Sequence, residues 1–158
     1  MNQLIVALLL SIAPVSELRG GIPIAVEYCL RNNLSVNWAI AAMIAANILI
    51  IFPIFFFLDN FHNKLMKLSF YRRLFNAYLR KLRKKVDDFE KKKAVYGFAA
   101  LMIFVAVPLP GTGAWTGTII AWILGLERKK SIISIALGVI IAGILIGLAT
   151  LGVFNLFI

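Results

Sequence analysis

Two residue types that small proteins often rely on are almost missing, since the chain has one cysteine, Cys29, and one histidine, His62. That excludes a disulfide framework and any metal centre built from Cys/His clusters. No Ser/His/Asp or Cys/His set stands out either, so the chain is expected not to be an enzyme and to carry no catalytic residues, metal or cofactor. Acidic residues are scarce as well: 7 Asp/Glu face 17 Lys/Arg, for a net charge of +10. Such a surplus raises nucleic acid as a partner, but no nucleic-acid-binding motif accompanies it, and none is expected to bind. The charge is also confined. Residues 59–93 hold 12 of the 17 Lys/Arg and 4 of the 7 Asp/Glu, a local balance of +8 that leaves +2 elsewhere. A positive block between apolar segments marks a cytoplasmic loop. Met1 to Val15 lacks the positive n-region of a signal peptide, and Pro14 after Ala13 is a poor cleavage context, so this stretch reads as part of the mature protein.

What the chain does have is apolar length. Of its 158 residues 61% are hydrophobic and 15% charged. The runs 37–58 and 131–158 reach the roughly 18 to 20 residues that cross a ~30 Å hydrocarbon core. Residues 37–58 read as a transmembrane helix with Pro53 as a kink and Asn47 as its polar residue at mid-depth. A buried Asn is either packing glue between helices or a ligand for something bound. The last span contains Gly143 and Gly147 in a GxxxG spacing that suits close helix packing. Between the spans, Phe61, Leu65, Leu68, Phe75, Leu79, Leu82, Val86 and Phe89 recur at 3/4 spacing. They predict an amphipathic helix over 59–93 with a basic face and Asp59 and Asn60 as caps. It lies on an anionic leaflet or makes a coiled-coil contact between copies.

Two apolar stretches are interrupted. Residues 4–15 run into 16–23 (SELRGGIP) before 24–30 turn apolar again, and 94–107 break at 108–113 (PLPGTG) before 114–126. The second stretch, 94–126, would be ~50 Å long as one helix, too long for one span and too short for two with a turn. If it crossed fully, Glu127-Arg128-Lys129-Lys130 would land outside, against the positive-inside tendency. A hairpin that dips in and returns removes the conflict, and residues 4–30 fit the same plan from the other side. The expected fold is therefore an all-α integral membrane protein of one domain, 1–158, in the cell membrane. It forms an inverted repeat of two units, each a re-entrant helical hairpin plus a transmembrane helix: 1–58 and 94–158, joined by the cytoplasmic basic amphipathic helix 59–93. Residues 59–93 and 127–130 face the cytoplasm and both termini lie outside.

Non-helical backbone at membrane depth must be buried in protein or line a watery cavity, so the two breaks are expected to face each other. Their helix N-termini then aim partial positive charge at the centre, where an anionic group such as phosphate fits. Charges at bilayer depth are functional by default, which singles out Glu17 and Arg19. Desolvation disfavours the carboxylate and the guanidinium favours it, a balance that makes Glu17 a candidate proton carrier; the alternative is a structural ion pair pinning the hairpin tip. Pro23, Pro108 and Pro110 are expected to break the helices, and Gly20, Gly21, Gly111 and Gly113 to allow close backbone approach. Thr112, Trp115 and Thr116 add hydroxyls and an indole N–H beside the second break. The candidate substrate or proton site is Glu17, Arg19, Pro23, Asn47, Pro108, Pro110, Gly111 and Thr112.

SELRGGIP, followed after a basic loop by FVAVPLPGTGAWTG (104–117), resembles the small multidrug export proteins and, more distantly, the DedA (VTT-domain) superfamily. The likeness covers nearly the whole chain. It implies two opposed re-entrant hairpins and, for DedA relatives, proton-linked transport or scrambling of phospholipids or polyprenyl phosphate carriers, with Glu17, Arg19 and Pro23 in the first hairpin and Pro108, Pro110 and Gly111 in the second. DedA proteins typically place an arginine in the second motif, whereas 94–126 here carries no charge. The expected function is a transporter, flippase or scramblase of DedA-like type for an amphipathic, lipid-like substrate. The alternatives are export of small compounds and a membrane assembly factor that transports nothing. Membrane lipids and further copies of the chain are the expected partners.

Overall fold

The computed structural model describes residues 3–157, with side chains everywhere in that span except at 63, 71, 78, 79, 81–96 and 155–157. The described residues are helical with no strand: α1 (Gln3–Ile12), α2 (Glu17–Arg31), α3 (Val36–Leu49), α4 (Ile51–Asn60), α5 (His62–Leu65), α6 (Ser69–Ala106), α7 (Ala114–Ile123) and α8 (Arg128–Phe157). By length and apolar composition, Val36–Asn60 and Arg128–Phe154 are long enough to cross a membrane. The core runs between the helices through Ile22, Val26, Met43, Leu101, Val105, Ile120, Ile135 and Val139.

The first apolar stretch folds into a helical hairpin, but its break lies upstream of the expected position. Pro14 has no N–H for Leu10 and its ring collides with a continuing helix, so α1 stops at Ile12. The carbonyls of Leu10 to Ala13 at its end are taken. Ser16 Oγ donates to Leu10 O at 2.7 Å, Asn47 Nδ2 to Ser11 O, Trp115 Nε1 to Ile12 O at 2.9 Å and Glu17 N to Ala13 O at 3.1 Å. Gly20, Gly21 and Pro23 therefore sit inside α2, and the expectation that Pro23 breaks the helix is corrected. Gly21 allows the close approach expected of it, against α1: a Cβ there would lie 2.6 Å from Ala7 O and 1.8 Å from Ser11 Oγ.

The long span bends between α3 and α4 at Ile50, because the Pro53 nitrogen cannot bond to the Leu49 carbonyl. Asp59 and Asn60 close α4 rather than capping a new helix, correcting their expected role. Asn60 Nδ2 donates to Phe56 O at 2.8 Å, while Asp59 accepts the Trp122 indole N–H at 3.0 Å and pairs with Arg128. Arg128 also lies 4.3 Å from the Phe55 ring centroid, and buried His62 sits between Phe75 and Trp122, tilted against the first ring and edge-on to the second. These contacts put the end of α4 and the starts of α6 and α8 at one end of the molecule. Helix α6 begins at Ser69 and runs past position 93 to Ala106, so the expected boundary at 93/94 lies within a helix. The amphipathic face expected at Leu79, Leu82, Val86 and Phe89 lies outside the residues whose side chains are described. The GxxxG pair packs as its spacing implies, with Gly143 against Ile44 and Gly147 against Ile40 of α3.

Candidate functional site

The second break, 107–113, is shaped by its own residues. Pro108 cannot continue α6. Thr112 Oγ1 lies 2.6 Å from Val107 O and 2.7 Å from Leu109 O and accepts the Leu109 N–H at 3.1 Å, which closes the turn. Gly113 has φ +144°, backbone that residues with a Cβ rarely adopt, and from there α7 starts with its first N–H groups pointing out of the helix.

Those N–H groups meet the first break. Glu17 Oε2 accepts Ala114 N–H at 3.2 Å and Oε1 accepts Trp115 N–H at 3.3 Å. With Trp115 Nε1 on Ile12 O, each break caps a helix of the other: the first supplies the carboxylate for the N-terminus of α7, and the second supplies the indole donor for the C-terminus of α1. Glu17 is 7% exposed, and burial works against its charged form while these N–H groups, the positive end of α7 and nearby Arg19 favour it. A Cβ at 113 would stand 1.8 Å from Glu17 Oε2, so the carboxylate takes the space a side chain there would need. Glu17 itself has φ +46°, an uncommon conformation for a residue other than glycine.

Glu17, Arg19, Asn47, Pro108 and Thr112 line one small cavity of about 20 Å³ together with Gly113. Five of the eight residues singled out from the sequence therefore come together. Pro23 is half-buried within α2, and Pro110 and Gly111 are exposed on the second break; none of the three lines this cavity. Arg19 is half-buried and makes no ion pair within 4 Å among the described residues. Glu27 pairs with Arg31 on the surface, away from the site, and Cys29 is buried apolar filling. Gly113 allows the close approach expected of it, and the N-terminus of α7 points at the centre, but the anion that its Ala114 and Trp115 N–H groups hold is this chain's own Glu17. Among the described residues no three His, Cys, Asp or Glu side chains gather as a metal ion requires.

Beyond Trp115 lies a larger apolar cavity of about 590 Å³, walled by Pro53, Phe57, Leu74, Phe75, Trp115 and Ile119. Its volume falls in the ~300–1,000 Å³ range of small-molecule sites. Trp115 is shared: its main-chain N–H holds Glu17 and its side chain faces the apolar space.

Comparison with the curated proteins and with the solved structures gives no significant match. The likeness to the DedA superfamily expected from the motifs finds no support there. The profile of one family, described as "Putative small multi-drug export protein", matches residues 17–145, which takes in Glu17, Asn47, the second break and most of α8. The chain belongs to that family of small multi-drug export proteins.

Proposed function

We propose that this chain exports small amphipathic compounds across the cell membrane, with Glu17 as the proton-carrying group, and makes or breaks no covalent bond. One observation carries the reading: a buried carboxylate held between two helix breaks stands one residue, Trp115, away from an apolar cavity sized for a small molecule. The family description points the same way. A lipid-moving role, which the DedA likeness implied, has less behind it, since the second break brings main-chain donors and no arginine.

In this reading both hairpins are re-entrant and opposed, forming an inverted repeat, with 59–93 and 127–130 on the cytoplasmic side and both termini outside. The Asp59–Arg128 pair supports placing 127–130 on the side where α4 ends. Pro108, Leu109, Pro110 and Gly111 are exposed on this chain, and irregular backbone at membrane depth needs protein cover, so the working form is a homodimer or larger assembly. A monomeric mass both in mild detergent and in lipid removes that part.

The central test is dye efflux from proteoliposomes under a pH gradient. Glu17→Gln keeps an oxygen for the Ala114 N–H and loses the titrating group, so gradient-driven efflux is expected to drop by at least roughly tenfold. Equal rates in both proteins, or wild-type rates no faster than empty vesicles, overturn the reading. A labelled phospholipid in the same vesicles separates small-compound cargo from lipid.

A further inference from the structure

Glu17 has opposite requirements in its two protonation states. As a carboxylate it only accepts hydrogen bonds, and the site supplies donors: the Ala114 and Trp115 N–H groups, with the positive charge of Arg19 nearby. As a neutral acid it carries an O–H that needs an acceptor, and the N-terminus of α7 has none to give.

The same cavity holds an acceptor that nothing else uses. Asn47 of α3 is fully buried, and its Nδ2 is committed to Ser11 O, which fixes the amide so that Oδ1 is left over. That Oδ1 has no hydrogen-bond partner, a costly state for a buried acceptor. Asn47 and Glu17 both line the 20 Å³ cavity, which is large enough for about one water. Arg19 is the one other charged side chain lining it, and α6 and α8 wall it with Val105, Val139, Ala142 and Ile146. No second titratable group therefore competes there for the proton.

We propose that Asn47 Oδ1 receives the protonated form of Glu17, giving the carboxyl two seats: charged on the N-terminus of α7, neutral on Asn47. The O–H reaches Oδ1 directly after rotation of the Glu17 side chain or across one water. The move detaches the first break from α7, and loss of the proton reattaches it, so protonation is converted into uncoupling of the two hairpins at the site where they cap each other. The positive φ of Glu17 fits such a place, since strain of this kind collects where a residue is held ready to change partners. Asn47 is thus a positioning residue; the inference rests on the reading of Glu17 as the proton carrier of an exporter.

The test uses the full chain in lipid bilayers and infrared difference spectra between neutral and acidic pH. The C=O stretch of protonated Glu17 is identified by its loss in Glu17→Gln. Asn47→Ala is expected to move that band to higher wavenumber, as removal of a hydrogen-bond partner does, while Asn47→Gln, which keeps an amide, holds it nearer its original place. A second readout leaves position 47 intact: with ¹³C in the asparagine side-chain carbonyls, wild type shows an amide C=O shift on acidification that Glu17→Gln lacks. An unmoved acid band in Asn47→Ala, or no Glu17-dependent amide shift in wild type, overturns the proposal. Efflux is scored separately. A shifted band without efflux removes the export reading and leaves the switch; efflux with an unmoved band does the reverse.

Discussion

The two helix breaks face each other and have opposite chemistry. The first, 13–16, has no glycine, is closed by Pro14 and Ser16, and delivers a carboxylate from the residue that follows. The second, 107–113, has two prolines and two glycines and delivers bare main-chain N–H groups. One break is rich in acceptor and the other in donor, which is why they fit each other. The two breaks therefore divide the work: the charge sits beside the first, and the second provides the backbone that holds it.

Gly113→Ala attacks this complementarity most directly, because the new Cβ meets Glu17 Oε2 at 1.8 Å in a conformation alanine resists. It is expected to cost about 3 kcal/mol and to abolish efflux, measured by thermal unfolding in detergent and by the vesicle assay. Gly21→Ala tests the other side, where the added carbon would lie 2.6 Å from the Ala7 carbonyl and push α1 off α2. A loss of about 2 kcal/mol is expected, with the second hairpin's own contacts unaffected. Ile119→Trp leaves both breaks alone and fills the apolar cavity; bulky dyes should leave roughly tenfold more slowly while the melting temperature holds. If small and bulky dyes slow equally, the cavity is not where cargo sits.

Two weaker effects concern the end of the molecule away from the breaks. Burial pushes the His62 imidazole below its ordinary value of 6.5. The unfolded chain then binds the proton more readily, so stability is full above about pH 6.5 and declines as pH falls below it. His62→Leu should flatten that decline, as followed by unfolding temperature against pH. Asp59→Asn removes an ion pair that is over a third exposed on both sides, and should cost less than about 1 kcal/mol.

Much of the plan could be read from residue order. PLPGTG marks the second break because two prolines and two glycines leave a helix no alternative, and Gly143 and Gly147 announce close packing by their spacing. The first break was harder, since Gly20, Gly21 and Pro23 look like a stronger interruption than Ala13-Pro14. The glycines served close packing against α1, and Pro23 was carried within α2. The role of Asp59 is hidden for a different reason: its partners, Trp122 and Arg128, lie 63 and 69 residues away, and no local pattern reports them. Glu17, Arg19 and Asn47 stood out because polar groups are costly among apolar runs. Their meeting with Gly113 required the fold.

Trp115 gives the site a mechanical property. Its indole nitrogen is tied to the last turn of α1, its peptide nitrogen to Glu17, and its ring forms part of the apolar wall. On the export reading, a guest pressing on that ring pulls on both ties at once, so filling the apolar cavity and loosening the grip on the carboxylate would be movements of a single lever.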